Sequence, residues 1–209
     1  LNYSGMVGGG DARGAPTAKR AAVQAAVLEA TEALLAEGTR YPELNIERIA
    51  KRAGLSRTAF YFYFRDKREL LMRLAEDVTQ RLYAEGDVWF SGGRDPAEEL
   101  GHAIRNSAAL YREHGELLRA LADAATSDEE LARFWHGIID RFVDRAQERI
   151  EDARRAGLDG PGEPRATAFA LCWMTERTFH QQSFLGDPVP QEQLLDALTG
   201  IWVRVIYGR

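Results

Sequence analysis

Four hydrogen-bonding side chains lie close together in the segment from Ile46 to Leu70, which reads IERIAKRAGLSRTAFYFYFRDKREL. They are Arg57, Thr58, Tyr61 and Tyr63. An arginine and a threonine at the start of a short helix can reach base edges in the major groove of DNA. Tyrosines beside them can hydrogen-bond phosphates or stack on sugars and thymine methyl groups. The first hypothesis is therefore a surface that reads DNA.

The spacing around these residues is that of two short helices crossing at a tight turn. Ala50 lets the helices approach closely, Gly54 supplies the turn conformation, and Phe60 fills the joint from the second helix. Asn45 and Ser56 predict the N-termini of the two helices, the second ending near residue 64. A third helix is predicted to begin at the capping box that Asp66 forms with Glu69.

Charge is distributed unevenly along the chain. The net charge of −5 is unusual for a DNA-binding protein, but residues 40–73 carry nine basic side chains against four acidic ones. Residues 86–209 carry 14 basic and 21 acidic side chains. A basic head on an acidic body concentrates the phosphate-attracting field at one end of the molecule.

Further residues of the head are placed to contact the DNA backbone, because helix N-termini present unpaired amides to phosphates. Lys67 follows Asp66 in the first turn of its helix, and Arg48 lies on the first short helix. The complete set of candidate DNA contacts is Arg48, Ser56, Arg57, Thr58, Tyr61, Tyr63 and Lys67. The alternative is a tight helical corner whose basic face is simply solvated.

The whole chain predicts helices and no strand, so the expected fold class is all-α, with about nine helices. Residues 1–16 are rich in glycine and predict disorder, residues 17–68 a helix-turn-helix domain, and residues 69–209 a helical body. The helix after Asp66 is expected to end near Glu85, because Gly86 breaks the pattern. Separate helices are expected over 96–113 and 115–125, followed by one that Ser127 opens.

The motif GLSRTAFYFYFRDKREL resembles the signature of the TetR family of one-component bacterial repressors. The resemblance covers about residues 20–85, and Phe62 departs from the histidine or tyrosine common at its position. MTERTF, SFLGDPVP and IWVRVIYG, at 174–179, 183–190 and 201–208, resemble a mycobacterial branch of the same family, as does FYFYF at 60–64. The resemblance implies an N-terminal DNA-binding head of three helices and a C-terminal ligand-binding and dimerisation domain.

A ligand pocket is implied by the resemblance, between helices around 96–113, 127–156 and 163–184. The sequence independently permits one, because Cys172, Thr175, Glu176 and Phe179 recur at i, i+3, i+4 and i+7 on one helical face. Other helices supply similar stripes, and the remaining candidate ligand contacts are Leu100, Ser107, Tyr111, Trp135, Ile139, Phe142 and Trp202. Periodicity alone favours a filled core, and it is the resemblance that favours a pocket. Glu176 could instead pair with Arg177 or Arg204.

The last two helices carry excess apolar surface, which indicates a seam between two copies of the chain. The resemblance implies the same two-fold homodimer. The candidate seam residues are Phe169, Trp173, His180, Phe184, Leu194, Leu198, Ile201 and Val205. The alternative is packing within one chain.

Other classes of protein find little support in the sequence. The histidines show no metal-ligand spacing, and neither a nucleophile elbow nor a phosphate-cradling glycine loop is present, so we expect no catalytic residue, no metal and no cofactor. No apolar run is long enough to span a membrane, and the single cysteine fits a reducing cytoplasm. Together with these exclusions, the family resemblance implies a cytoplasmic homodimeric repressor that binds a palindromic double-stranded operator and is released by an apolar small-molecule effector. The alternatives are a DNA-binding regulator with a filled core and no inducer, and a ligand-binding module whose head no longer reads DNA.

Overall fold

The computed structural model describes residues 14–92, 95–158, 160 and 162–208. These residues form eight α-helices and one short 3₁₀ helix, Tyr41–Glu43, and contain no strand. The α-helices are α1 Gly14–Ala36, α2 Ile46–Arg52, α3 Arg57–Phe60, α4 Lys67–Ser91, α5 Pro96–Ala125, α6 Glu129–Arg155, α7 Pro164–Phe184 and α8 Gln191–Tyr207. The all-α prediction is confirmed. Of the segment expected to be disordered, residues 1–13 lie outside the described residues, and α1 already begins at Gly14.

The caps predicted for the head are present. The Asn45 side chain accepts a hydrogen bond from Arg48 N at 2.8 Å, and Ser56 Oγ accepts one from Ala59 N at 3.1 Å. Asp66 Oδ1 accepts from Arg68 N and Glu69 N, both at 2.9 Å, and so satisfies two of the unpaired amides that open α4. Three side chains thus fix where the helices of the head begin.

The joint between α2 and α3 is built as the spacing predicts. Gly54 has φ +72°, a left-handed conformation that glycine adopts without the steric penalty of a side chain. Ala50 and Phe60 are fully buried, and the Phe60 and Phe64 rings pack with centroids 5.5 Å apart. This small aromatic core sets the angle at which α3 is presented.

Three helix boundaries differ from the sequence prediction. Helix α3 ends at Phe60 and continues as a tighter turn in which Tyr63 N donates to Phe60 O. Helix α4 runs through Gly86 to Ser91, and the Phe90 ring packs against Gly86, where a Cβ would lie 2.7 Å from Phe90 Cε2. Asp128, not Ser127, caps α6 by accepting from Glu130 N and Leu131 N.

The two helices expected over 96–125 form one continuous helix with a kink. Backbone angles at His114 are φ −117° and ψ 20°, which interrupts the helical geometry next to Gly115. Helix α5 packs against α4, α6, α7 and α8 and contacts α1 of the head. It therefore contacts both parts of the molecule.

The body is closed by aromatic contacts between its first and last helices. Trp89 of α4 donates from Nε1 to the Tyr207 hydroxyl at 3.0 Å, and its ring meets that of Trp202 edge-on at 5.6 Å. Aliphatic side chains of α5 and α6, including Leu117, Leu121 and Leu131, are buried between these ends. Burying this apolar surface holds the helices around a common interior.

Candidate DNA-binding surface and ligand cavity

Helix α3 presents its polar residues to solvent. Arg57 and Thr58 occupy its first turn and are exposed, while Tyr61, directly after the helix, is 47% exposed. Tyr63 is half-buried, with the Arg20 guanidinium of α1 6.0 Å from its ring centroid. The structure thus brings Arg57, Thr58 and Tyr61 to one accessible end of the head.

Phe62 is a feature of this surface that the candidate list omits. Its side chain is 74% exposed, more than any other large hydrophobic residue in the described part of the chain. The ring lies between the two tyrosines in a turn whose neighbours Phe60 and Phe64 are fully or almost fully buried. Tyr61 and Phe62 are thus both exposed, and Phe62 adds an apolar ring to the surface that Arg57, Thr58 and Tyr61 form.

The candidate phosphate contacts differ in how free their side chains are. Arg48 is exposed on α2, whereas the Ser56 hydroxyl is already occupied as the cap of α3. Lys67 Nζ lies 3.3 Å from Tyr41 O and 4.6 Å from the Tyr41 ring centroid, and is 3.5 Å from Leu44 O. The Lys67 charge is therefore held beside the 3₁₀ helix, at the entrance to α2.

Asp66 illustrates the electrostatics at the start of α4. Burial raises the pKa of its carboxyl, but hydrogen bonds from Glu69 N and Arg68 N, together with the charges of Arg65 and Arg68, outweigh burial and lower that pKa below its usual value. The ionised form is the one that accepts both amide hydrogen bonds. The cap is thus strongest when Asp66 is charged.

Two arginines of the head form ion pairs with acidic side chains of the body. Arg65 Nη2 lies 2.9 Å from Glu130 Oε1, and Arg68 Nε lies 3.2 Å from Asp128 Oδ2. Arg68 Nη1 also approaches Glu130 Oε2 at 3.4 Å. The acidic start of α6 therefore binds the basic start of α4 and partly neutralises the head's positive charge.

A second link between head and body is formed at the kink of α5. His114 Nδ1 lies 2.6 Å from Glu32 Oε1 of α1, and the imidazole is mostly buried. One turn earlier on α5, Tyr111 lines the interior of the body. The kink is thus in contact with α1 on one side and close to the interior on the other.

That interior contains a cavity of about 110 Å³ bounded by α4, α5, α6, α7 and α8. All eleven candidate ligand contacts from the sequence lie around it: Leu100, Ser107, Tyr111, Trp135, Ile139, Phe142, Cys172, Thr175, Glu176, Phe179 and Trp202. Almost all of the exposed wall is apolar, with aromatic rings from every one of the five helices. This composition suits a small molecule that is largely hydrocarbon.

Helix α4 supplies the part of the wall that the sequence reasoning missed. It contributes Thr79, Leu82, Gly86, Trp89 and Phe90, and the neighbouring helices add Ala103, Ile104 and Ile138. Three of the α4 residues recur at i, i+3 and i+7, a helical face that the assumed break at Gly86 concealed.

The polar groups in the wall are few. Thr175 Oγ1 donates to Leu171 O at 2.9 Å and accepts from Trp202 Nε1 at 2.8 Å, so its hydrogen bonds are made within the protein. Cys172 is buried, and burial raises the pKa of its thiol to about 12, which keeps it neutral. Burial, and then the nearby Glu176, raise the pKa of Tyr111. Glu176 itself is only 4% exposed.

The surface of α7 and α8 carries apolar side chains in contact with solvent. Phe169, Phe184 and Ile201 are 51%, 57% and 42% exposed, and Trp173, Leu194 and Val205 are half-buried. Two of the candidate seam residues are buried within the single chain. Leu198 is buried on the inner face of α8, and His180 is buried with its ring stacked on Phe184, so neither belongs to the exposed face.

The described residues contain neither a membrane-spanning helix nor a metal-binding cluster. No helix there is both long and apolar enough to cross a membrane. Over the same residues, no group of three or more His, Cys, Asp or Glu side chains is arranged to hold a metal ion.

Comparison with known proteins identifies both parts of this architecture. Residues 27–74 match the family "Bacterial regulatory proteins, tetR family", and residues 100–208 match "Transcriptional regulator EthR, C-terminal domain". The chain is 30% identical over 190 residues to the HTH-type transcriptional regulators EthR of Mycolicibacterium smegmatis and of Mycobacterium tuberculosis, covering 88% of this chain and 86% of each relative.

A solved structure shows the same fold. The transcriptional regulator FadR from Bacillus subtilis, in complex with stearoyl-CoA, superposes with a TM-score of 0.70 at 17% identity, over 87% of this chain and 98% of that one. The head and body described above are thus those of a helix-turn-helix DNA-binding transcriptional regulator. The chain belongs to the TetR family, and its C-terminal domain is of the EthR type.

Proposed function

We propose that this regulator is a ligand-responsive repressor that acts as a homodimer on a palindromic operator. The observation that carries the proposal is the path from cavity to head: Tyr111 lines the cavity, and His114, one turn away, contacts Glu32 of α1. A ligand that alters the wall at Tyr111 thereby acts on a helix of the DNA-binding head.

DNA recognition is assigned to the exposed end of α3. Arg57, Thr58 and Tyr61 read base edges in the major groove, each good contact contributing about 1–3 kcal/mol of discrimination. Arg48 and Lys67 contact phosphates and, with the Ser56 cap and Tyr63, fix the position of α3 on the duplex. Such contacts carry no sequence information but make the affinity strongly dependent on salt.

The dimer is assigned to the exposed apolar face of α7 and α8. Phe169, Phe184 and Ile201 expose aromatic and aliphatic surface that a second copy would cover. A two-fold dimer places one α3 at each half of a palindromic site, so both heads bind only when their separation matches the DNA.

Ligand binding would favour a dimer whose heads no longer fit successive major grooves. A coupling free energy of about 1–3 kcal/mol is typical of such switches and lowers operator affinity several-fold to about a hundred-fold. The cavity and its apolar wall support this mechanism over a regulator with a filled core. The stearoyl-CoA bound by the Bacillus subtilis relative makes an aliphatic ligand a reasonable class to test first.

The experiment is a screen of small aliphatic and aromatic compounds for thermal stabilisation of the protein, followed by titration of each hit into the protein–operator complex. A repressor of the proposed kind releases its operator with at least one compound that stabilises the free protein. If compounds that demonstrably bind the cavity leave operator affinity unchanged, the protein is a regulator without an inducer.

A further inference from the structure

The cavity wall contains one ionisable group whose hydrogen-bonding capacity is unmet. Both carboxyl oxygens of Glu176 are buried, and neither has a hydrogen-bond partner within the described residues. The nearest cation is Arg177, whose Nε lies 3.7 Å from Glu176 Oε2. The Arg177 side chain is 55% exposed and its Nη1 faces His180 Nδ1 at 3.4 Å, so the guanidinium is directed outward.

Two threonines of the same wall, by contrast, form their hydrogen bonds within the protein. Thr175 uses its hydroxyl between Leu171 O and the Trp202 indole, and Thr79 Oγ1 donates to Glu76 O at 3.1 Å. Buried polar groups are normally hydrogen-bonded, and leaving a carboxylate without a partner is costly. A buried carboxyl that lines an apolar cavity and accepts no hydrogen bond therefore indicates a ligand group that donates to it.

We propose that Glu176 selects ligands in which an aliphatic chain carries an amine nitrogen, the N–H groups donating to the Glu176 carboxyl. The inference rests on the proposed function, since it names the ligand of the same cavity. An ammonium group satisfies both the charge and the hydrogen-bonding needs of the carboxylate in one contact. The rest of the wall is almost entirely apolar and therefore suits a hydrocarbon chain.

The volume of the cavity and the charge of Glu176 restrict the class of ligand further. A water-sized sphere occupies roughly 10–15 Å³ of cavity volume. The cavity of about 110 Å³ therefore holds a chain of roughly seven to eleven heavy atoms. A fatty acid of that length would place its carboxylate against Glu176 and be repelled or forced to protonate. A thioester or ester offers only acceptors to the carboxylate. Burial raises the pKa of Glu176 because it disfavours the charged form, and an ammonium group beside the carboxylate would offset that effect.

The test compares three probes of equal chain length: octylamine, octan-1-ol and octanoate. Their affinities for the full chain are measured by isothermal titration calorimetry at neutral pH, and again for Glu176→Gln. We expect octylamine to bind the native chain about tenfold or more tightly than octanoate, because a hydrogen bond to a charged group is worth that much. In Glu176→Gln this preference falls by about tenfold, while octan-1-ol binds as before.

Two control variants separate recognition from damage to the cavity. Glu176→Asp retains a carboxyl and should retain the preference for the amine even if all affinities fall. Ser107→Ala removes a different polar group from the same wall and should leave the order of the probes unchanged.

Distinct outcomes overturn the two proposals. Octanoate binding as tightly as octylamine, or an undiminished amine preference in Glu176→Gln, rules out amine selection but leaves a ligand cavity in place. If none of the probes, octan-1-ol included, binds the native chain, the ligand-binding function fails and the amine proposal fails with it.

Discussion

Glu32 and His114 form a close contact between the DNA-binding head and α5, the helix that carries Tyr111 of the cavity wall. The two side chains lie on α1 and α5, with 2.6 Å between Oε1 and Nδ1, and the imidazole occupies the one non-helical position within α5. Because Tyr111 lines the cavity three residues earlier, a shift of this part of α5 moves the partner of Glu32. Coupling between sites requires a physical connection of this kind that both can bias.

Replacing His114 should weaken communication between the two sites. In His114→Ala, we expect a cavity ligand to bind nearly as tightly as it binds the native chain. The same ligand should change operator affinity much less, because the variant loses part of a coupling free energy of about 1–3 kcal/mol. The measurement is the ratio of operator dissociation constants with and without ligand. Arg105→Ala is the control, because Arg105 is exposed on the same helix and pairs only with the exposed Asp196. An unchanged ratio in His114→Ala would remove this contact from the mechanism.

Arg57 and Lys67 should affect DNA binding differently. Arg57→Ala removes a candidate base contact and is expected to reduce operator affinity by about 1–3 kcal/mol with little effect on random DNA. Lys67→Ala removes a phosphate contact, so it should weaken all DNA to a similar extent and reduce the salt dependence by about one unit of slope. Titrations at several salt concentrations separate the two. Equal losses on operator and random DNA for both variants would refute this division of roles.

Phe62 and Phe60 form a matched pair for separating binding from stability. Phe62 is 74% exposed, so Phe62→Ala should change the free energy of unfolding by no more than about 0.5 kcal/mol. We expect it to weaken DNA binding, because an exposed ring beside Tyr61 is placed to contact sugars or thymine methyl groups. Phe60 is fully buried, and Phe60→Ala should lower the free energy of unfolding by about 3–5 kcal/mol. Thermal unfolding and operator titration together test both halves, and native-like DNA binding by Phe62→Ala would exclude the ring from the interface.

Glu176 should make stability depend on pH in a defined direction. Its folded-state pKa is raised above the ordinary value of 4.5 by burial, so the unfolded chain binds fewer protons above that pH. Stability is therefore lost as pH rises from about 4.5 through the raised pKa, and Glu176→Gln lacks this loss. We expect the variant to gain in melting temperature relative to the native chain as pH rises from 5 to 8. A difference between the two proteins that does not change with pH would show that Glu176 is not held in an unfavourable environment.

The exposed face of α7 and α8 should determine the oligomeric state. Ile201→Asp places a charge on that face and is expected to shift the protein from dimer to monomer, with loss of tight binding to a palindromic site. Analytical ultracentrifugation of the native chain and the variant is the measurement. His102→Asp, an exposed substitution on α5, serves as the control. A native chain that sediments as a monomer, or a dimer that survives Ile201→Asp, would exclude this face as the seam.

The sequence predicted those parts of the structure that depend on local patterns. Caps at Asn45, Ser56 and Asp66 and the glycine turn at Gly54 follow from residue chemistry over a few positions. The cavity face of α7 follows from a repeat at i, i+3, i+4 and i+7. These signals work because the residues that determine each feature are neighbours in the chain.

The features that escaped prediction depend on contacts between distant segments. Gly86 has a low helix propensity, which predicts a break, yet α4 continues through it. The Phe90 ring occupies the space that a side chain at position 86 would fill. The pairing of Arg65 and Arg68 with Glu130 joins residues more than sixty positions apart and leaves no periodic trace. Leu198, predicted for the seam, is buried within the chain, because the periodicity of an apolar helix does not say which stripe faces inward.

The measurement that tests the central claim most directly is fluorescence anisotropy with DNA from upstream of this gene and its neighbours. It is made across a range of salt concentrations, with random DNA of equal length as the reference. The account predicts saturable binding to one fragment, with an affinity far above that for random DNA, and a steep fall with salt. Weak binding that is equal for all fragments would contradict it, because the head would then bind DNA without reading its sequence.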